Sequence, residues 1–366
     1  FAIWSTFKYL MEFIFALSTI SLLLIVLNSL TIKVIKNKPQ IINETISVLI
    51  PMRNEQNNVK ECLESILNQK GLNNFEIIAL DDESSDKTFE VLQTFNNVKV
   101  IMGKSTPNNW IGKLWACHQL VEQSSGEYLV FIDADVRLSE NAISSAIASM
   151  KGWDFISPYP KQLVSGFVQR VFQPLLQWSW LASVPLILSQ KFSIKSMAVA
   201  NGQFFIVKRS AYLTSGGHQA IKSEVLDDLM LARNLLEHGF KGGVAEASQI
   251  VQCKMYDTTR ELFLGYQKSL YKAFGSIFGT VLAIIVLFAT GIIPIIVALT
   301  GSKLALLTFI IVYIGRCISS IRTGGIPNTA LLHPIAIALL LFLIAYSWYG
   351  RLTNTLSWRG RGIVNG

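Results

Sequence analysis

Residues 13–32 run for twenty positions without a charge. Inside a bilayer the backbone N–H and C=O groups find no water, so a segment of that length crosses as a helix that satisfies its own hydrogen bonds. Three more apolar segments, 277–300, 304–321 and 330–349, stand near the other end, the middle one carrying Arg316. Between the two apolar ends, residues from about 40 to 160 have the texture of an ordinary water-facing α/β protein. The whole chain is 51% hydrophobic and 15% charged, against about 25% charged in a soluble domain. This division predicts a three-part chain: an anchor over 1–38, a water-facing α/β domain over 39–275, and a membrane region with a basic tail over 276–366.

The 13–32 segment is too long for a signal peptide and no small-residue cleavage site follows it, so a retained span is expected. Lys33, Lys36 and Lys38 come next. The positive-inside tendency assigns them, and the domain behind them, to the cytoplasm of a multi-pass cell-membrane protein. Four full spans would then leave Arg351, Arg359 and Arg361 outside, which points to one re-entrant or interfacial segment. The chain opens on Phe1, so residues upstream are expected. The net charge of +8 follows the membrane-flanking lysines and arginines rather than any nucleic-acid signature, and no nucleic-acid partner is expected. Cys62, Cys117, Cys253 and Cys317 lack metal-type or redox-type spacing and read as reduced structural thiols.

Within the middle region, Tyr128-Leu129-Val130-Phe131-Ile132 is apolar at every position and ends in Asp133-Ala134-Asp135. An unbroken apolar run of this length reads as a strand buried on both faces. In open α/β sheets ligands bind beyond the carboxyl ends of strands, and two carboxylates there can hold a hard divalent cation and, through it, a diphosphate. Taken alone, a strand followed by an acidic turn is the plainer reading of the run. Two earlier strands end similarly. The run 46–51 leads into Met52-Arg53-Asn54-Glu55, and 75–80 leads into Asp81-Asp82-Glu83-Ser84-Ser85-Asp86. Asp86 or Ser85 can brace the next helix, and Asp82 can accept from a nucleotide base. With helices at 59–67 and 88–95, the alternation implies parallel strands.

Lys113 follows Gly112 at a helix start, where free N–H groups already favour phosphate. Over 164–192, apolar residues are interrupted by Gln169, Arg170, Gln173 and Gln177. An interfacial helix with its tryptophans at headgroup depth is the expectation, a buried core helix the alternative. Asp227-Asp228 then precede the apolar helix from Leu229. Acids there can be plain helix stabilisers, or one can serve as a base in a cleft.

In their order, Pro51-x-Arg53-Asn54-Glu55, Asp81-Asp82-x-Ser84-Ser85-Asp86, Asp133-Ala134-Asp135 and Asp227-Asp228 resemble the family 2 glycosyltransferases of the GT-A fold. The string Asn109-Trp110-Ile111-Gly112-Lys113-Leu114-Trp115-Ala116, the membrane layout and the tail Trp358-Arg359-Gly360-Arg361 are similar to two groups within it. These are the hopanoid-biosynthesis-associated enzymes and the carotenoid-acid enzymes of the staphyloxanthin pathway. The resemblance spans about residues 45 to 275.

It implies an α/β GT-A nucleotide-sugar-binding domain, a mostly parallel sheet with flanking helices, and transmembrane helices at both ends. Pro51, Arg53 and Glu55 would border the nucleotide, Asp82 would read its base, and Lys113 would lie near the diphosphate. Asp133 and Asp135 would match the family's DxD and hold Mg2+ or Mn2+, Asp135 most directly. Asp228 would match the catalytic base, with Asp227 beside it. The implied reaction is inverting, metal-dependent transfer of one sugar from a nucleotide-diphosphate sugar to a lipid-soluble acceptor (isoprenoid, hopanoid, carotenoid or glycerolipid). Transfer to a polyprenyl phosphate carrier and a non-catalytic scaffold are the rival readings. The Gln/Arg-x-x-Arg-Trp motif of processive relatives is missing around Gln267, which argues against polymer synthesis. Lys268 is the nearby cation that could serve the diphosphate instead.

Overall fold

The computed structural model describes residues 2–358 and 361–362. Its centre is a seven-stranded sheet built from β1 (Ile42–Met52), β2 (Leu72–Asp81), β3 (Lys99–Met102), β4 (Tyr128–Ile132), β6 (Phe155–Tyr159), β8 (Phe204–Lys208) and β9 (Gly242–Glu246). Its strand order is β3-β2-β1-β4-β8-β6-β9. β5 (Val136–Leu138), β7 (Lys161–Gln162) and β10 (Val251–Cys253) form a smaller sheet.

The uninterrupted apolar strands have a direct cause. Val48, Ile50, Val130 and Ile132 enter a core with Cys62, Leu63 and Ile66 on one face. Leu49, Leu129 and Phe131 enter a second core with Leu114, Cys117 and Leu120 on the other. Alternate side chains point to opposite faces, and both faces are covered, so neither needs polar residues. β1 pairs in parallel with β2 and β4, as the strand–helix alternation predicts. β8 instead runs antiparallel between β4 and β6. A strand buried on both faces reads alike in either direction, so its sense was not in its pattern.

Four helices are long and apolar enough to cross a membrane: Thr6–Thr31, Ile277–Ala298, Lys303–Arg322 and Pro327–Leu352. Their polar residues tie them to the rest of the chain. Asn28 Nδ2 donates to Leu181 O (2.9 Å) and Val184 O (2.7 Å), and its Oδ1 accepts from Leu186 N–H (3.1 Å). The buried Arg316 Nη1 donates to Pro174 O at 2.7 Å. Arg322 lies 3.5 Å from Glu246 on the edge strand β9 and donates through Nε to Ser29 O.

The 164–192 stretch departs from expectation. It forms three short helices, Phe167–Phe172, Pro174–Ser183 and Leu186–Lys191, and its tryptophans turn inward. Trp180 is buried against the Tyr159 ring (5.4 Å), and Trp178 meets His333 edge-on (4.9 Å). The polarity that suggested a surface is internal. Gln169, Gln173 and Gln177 are buried on one face, where Gln173 Oε1 accepts from Tyr266 OH at 2.8 Å. Buried amides are tolerated when they find partners. After the last membrane helix, Ser357–Trp358 pairs antiparallel with Arg361–Gly362, and Arg359 and Gly360 of the basic tail lie outside the described residues.

Candidate active site

The carboxyl ends of β1, β2 and β4 open side by side into a cavity of about 370 Å3. At the first two ends the loops lock together. Arg53 Nη1 donates to Asp82 O (2.5 Å) and Glu83 O (3.1 Å), and Asp82 N–H donates to Met52 O. Thr88 Oγ1 accepts from Glu55 N–H, while Asp86 accepts from Gln56 and Thr88 N–H. Asp86 is thus a brace, and Asp82 is left on the cavity wall beside Pro51, Arg53 and Glu55.

At the end of β4 the two aspartates have different surroundings. Asp133 is ion-paired with Lys113, whose Nζ lies 2.8 Å from Oδ1 and 2.9 Å from Oδ2. Lys113 projects from the start of the Gly112–Glu122 helix and also lies 3.3 Å from Asp227 Oδ2. Burial works against its charge, but Asp133 and Asp227 outweigh burial and hold its pKa well above the ordinary value. Asp135 forms no ion pair among the described residues, and the charge of Lys113 offsets only part of its burial. Burial first, then the charges of Asp133 and Glu55, push its carboxyl up to about 7, and its buried Oδ1 has no hydrogen-bond partner.

An orphaned carboxylate oxygen next to two other acids fits a hard divalent cation. Among the described residues no group of three or more His, Cys, Asp or Glu side chains forms a closed metal cage. Asp135 and Asp133 are the residues that would hold such a cation, and it would supply positive charge at the strand end.

Asp227 and Asp228 open the Asp227–Glu237 helix and differ in their surroundings. Asp227 lines the main cavity. Burial opposes its charge, yet Lys113 and Lys268 keep its pKa below the usual carboxylate range. Asp228 is turned behind it. Its Oδ2 accepts from Gly202 N–H (2.8 Å) and its Oδ1 from Leu229 N–H (2.7 Å). It borders an adjoining chamber of about 20 Å3 that Pro51, Lys113, Asp133 and Asp227 also line, together with Cys117, Phe131 and His218. Burial and the neighbouring Asp227 push the Asp228 carboxyl up to about 6. Pro51, Arg53, Glu55, Asp82, Lys113, Asp133, Asp135 and Asp227 thus converge on one cavity, whereas Asp228 lines the small chamber that adjoins it.

Residues 47–214 match the family model for glycosyl transferase family 2. The chain carries a family 2 glycosyl transferase domain. This glycosyltransferase is 26% identical over 261 residues to a 4,4'-diaponeurosporenoate glycosyltransferase of Staphylococcus haemolyticus, covering 68% of this chain and 67% of that protein. It is 24% identical over 343 residues to the protein of the same name from Staphylococcus aureus, covering 87% of this chain and 88% of the relative. Its fold is shared with a mannosyltransferase from Pyrobaculum calidifontis solved in complex with GDP-Man and Mn2+. That likeness has a TM-score of 0.54 at 16% identity, over 94% of this chain and 99% of that one.

The glycosyltransferase cavity has a second wall that the acid motifs did not reveal. Met255 and Tyr256 follow β10, and the Thr259–Gln267 helix with the residue after it contributes Glu261, Leu264, Gly265 and Lys268. Gln203 completes the lining. Two signals were available in the sequence. The positions 261, 264, 265 and 268 share one helix face by spacing. Thr258 and Glu261 also form a capping box that fixes where the helix starts.

Proposed function

We propose that the chain is an inverting, divalent-cation-dependent glycosyltransferase. It moves one sugar from a nucleotide-diphosphate sugar to a lipid-soluble acceptor at the cytoplasmic membrane face. The names of the relatives make a carotenoid acid the acceptor class of choice. Residues 39–275 are taken as the catalytic domain, with 1–38 and 276–366 as its membrane regions. The observation that carries this reading is one cavity in which Asp133, Asp135 and Lys113 face the same space as Asp227.

In this reading the donor lies along the strand ends. Pro51, Arg53 and Glu55 border the nucleotide, and Asp82 accepts from its base. Lys113 turns from Asp133 to meet the diphosphate while staying beside Asp227, as suits an ammonium at a helix start. Asp133 and Asp135 hold Mg2+ or Mn2+, which when bound supplies charge neutralisation for the departing diphosphate.

Asp227, ionised and facing the cavity, takes the proton of an acceptor hydroxyl. The acceptor oxygen forms its bond to the anomeric carbon on the face opposite the diphosphate. The bond from that carbon to the diphosphate oxygen breaks, its electron pair leaving with the nucleoside diphosphate, so configuration inverts. An acceptor carboxylate is already anionic and needs no proton removed. The resemblance gave the base to Asp228. Both of its oxygens already accept from backbone N–H groups, which favours Asp227 for that role and Asp228 as the brace holding the Asp227 helix to Gly202.

The test uses purified full-length protein in detergent with a panel of UDP- and GDP-sugars, Mg2+ or Mn2+, and either 4,4'-diaponeurosporenoate or a total lipid extract. A glycosylated lipid by mass spectrometry, with stoichiometric nucleoside diphosphate, is expected. No nucleoside diphosphate with any donor overturns the reading.

A further inference from the structure

The two walls of the cavity differ in chemistry. The strand-end wall is charged, whereas the second wall adds Met255, Tyr256, Leu264 and Gly265 to the charged Glu261 and Lys268. Leu264 is 42% exposed although it lines the cavity. Tyr256 is held in place by Gly265. A Cβ there would fall 2.2 Å from the Tyr256 hydroxyl oxygen and 2.4 to 2.5 Å from its ring carbons, so the ring lies against the bare helix backbone.

The same helix is tied to the membrane region by its other face. Leu262 is fully buried, and the Phe263 ring sits 6.0 Å from Phe342 of the His333–Leu352 helix. Tyr266 packs edge-on against Phe172 (4.7 Å) and lies 5.8 Å from Tyr256. Tyr256 therefore belongs to two things at once: the cavity lining and an apolar cluster that includes Ile337, Leu343 and Ile344 of that membrane helix. Tyr256 thus links the apolar cluster on the membrane helix to the cavity that Asp227 also lines.

We propose that Tyr256 and Leu264, positioned by Gly265, form the acceptor-binding wall, with the apolar body of the lipid acceptor lying on them and its reactive end reaching Asp227. This rests on the lipid-acceptor reading above and adds the residues that select for it. Tyr256 and Leu264 are positioning residues, so their effect falls on acceptor KM and on the preference for long over short acceptors.

The experiment compares a long polyene acid, 4,4'-diaponeurosporenoate in detergent micelles, with octanoate as a short soluble acid. Each is assayed with whichever donor of the UDP- and GDP-sugar panel wild type uses. Leu264→Ser and Gly265→Ala should each raise KM for the long acid about tenfold, as expected for losing one buried apolar contact. KM for octanoate should barely change, and the affinity for nucleoside diphosphate should stay within about threefold.

Tyr256→Ala should act like Gly265→Ala, and combining the two should be no worse than Tyr256→Ala alone, because removing the ring removes the clash. Equal changes for both acids, additive losses in the double variant, or weakened nucleoside diphosphate affinity with unchanged acceptor KM would each overturn the proposal. Wild-type protein that releases nucleoside diphosphate yet transfers to neither acid nor any extracted lipid overturns the lipid-acceptor reading, and this wall assignment with it.

Discussion

One wall of the cavity carries six ionisable side chains, Arg53, Glu55, Asp82, Lys113, Asp133 and Asp135, on three strand ends and one helix start. The other offers Met255, Tyr256 and Leu264 between Glu261 and Lys268. The first wall is anchored in a sheet whose cores are closed on both faces. The second is a short helix whose reverse face packs on a membrane helix. Charge belongs where a diphosphate must be met by preorganised groups, and a helix docked on a membrane span is the natural place for apolar reach. Under the proposed function, the contrast assigns donor and acceptor recognition to separable parts of the chain, meeting at Asp227.

The sharpest way to break that picture is at the meeting point. Asp227→Asn should lower transfer to a hydroxyl acceptor by about a thousandfold, within the range for a general base, while nucleoside diphosphate still binds. Asp228→Asn should cost far less. Steady-state kinetics of the two variants decide the matter, and the reverse order returns the base to Asp228.

Asp135→Ala is expected to weaken donor binding on the order of a hundredfold and to abolish its dependence on Mg2+ or Mn2+. Calorimetric titration with and without chelator reads this directly. A change in acceptor KM alone would dissolve the distinction between the walls.

The pH profile sharpens the same point with a smaller effect. A carboxyl pushed up to about 6, as in Asp228, is protonated below that pH. If it were the base, transfer to a hydroxyl acceptor at saturating cation would fall about tenfold between pH 7 and pH 5. Asp227 is held below its ordinary value and stays ionised over that range, so a flat profile is expected. Away from both walls, Asn28→Ala should cost about 2 kcal/mol of stability by stranding backbone groups near Leu181 and Leu186, with both substrate affinities unchanged. A thermal melt beside a donor titration checks it.

Legibility in the sequence followed the same division. The strand ends could be found because two-sided burial forces apolar runs, and an acid that ends such a run stands out; Asp82, Asp133 and Asp135 were visible this way. Lys113 was visible as a lysine at a helix start. The facing wall left a fainter trace, because Leu264 and Gly265 are ordinary helix-face residues until something is known to lie opposite them. The inward turn of Trp178 and Trp180 was hidden for a related reason. Buried glutamines with partners and exposed glutamines without them are written with the same letters.

What the sequence by itself determined is the class of the protein. Its apolar segments demanded helices long enough to span a bilayer, and its ordered acid clusters identified the glycosyltransferase domain. Both are properties of local composition and spacing. Only the tertiary structure decided which of two adjacent aspartates faces the cavity, which direction β8 runs, and which helix closes the site. Those depend on the Gly202 N–H that claims Asp228, on the neighbours β8 finds on either side, and on the membrane helix against which residues 259–267 pack. Such contacts join residues far apart in the chain, and local spacing carries no record of them.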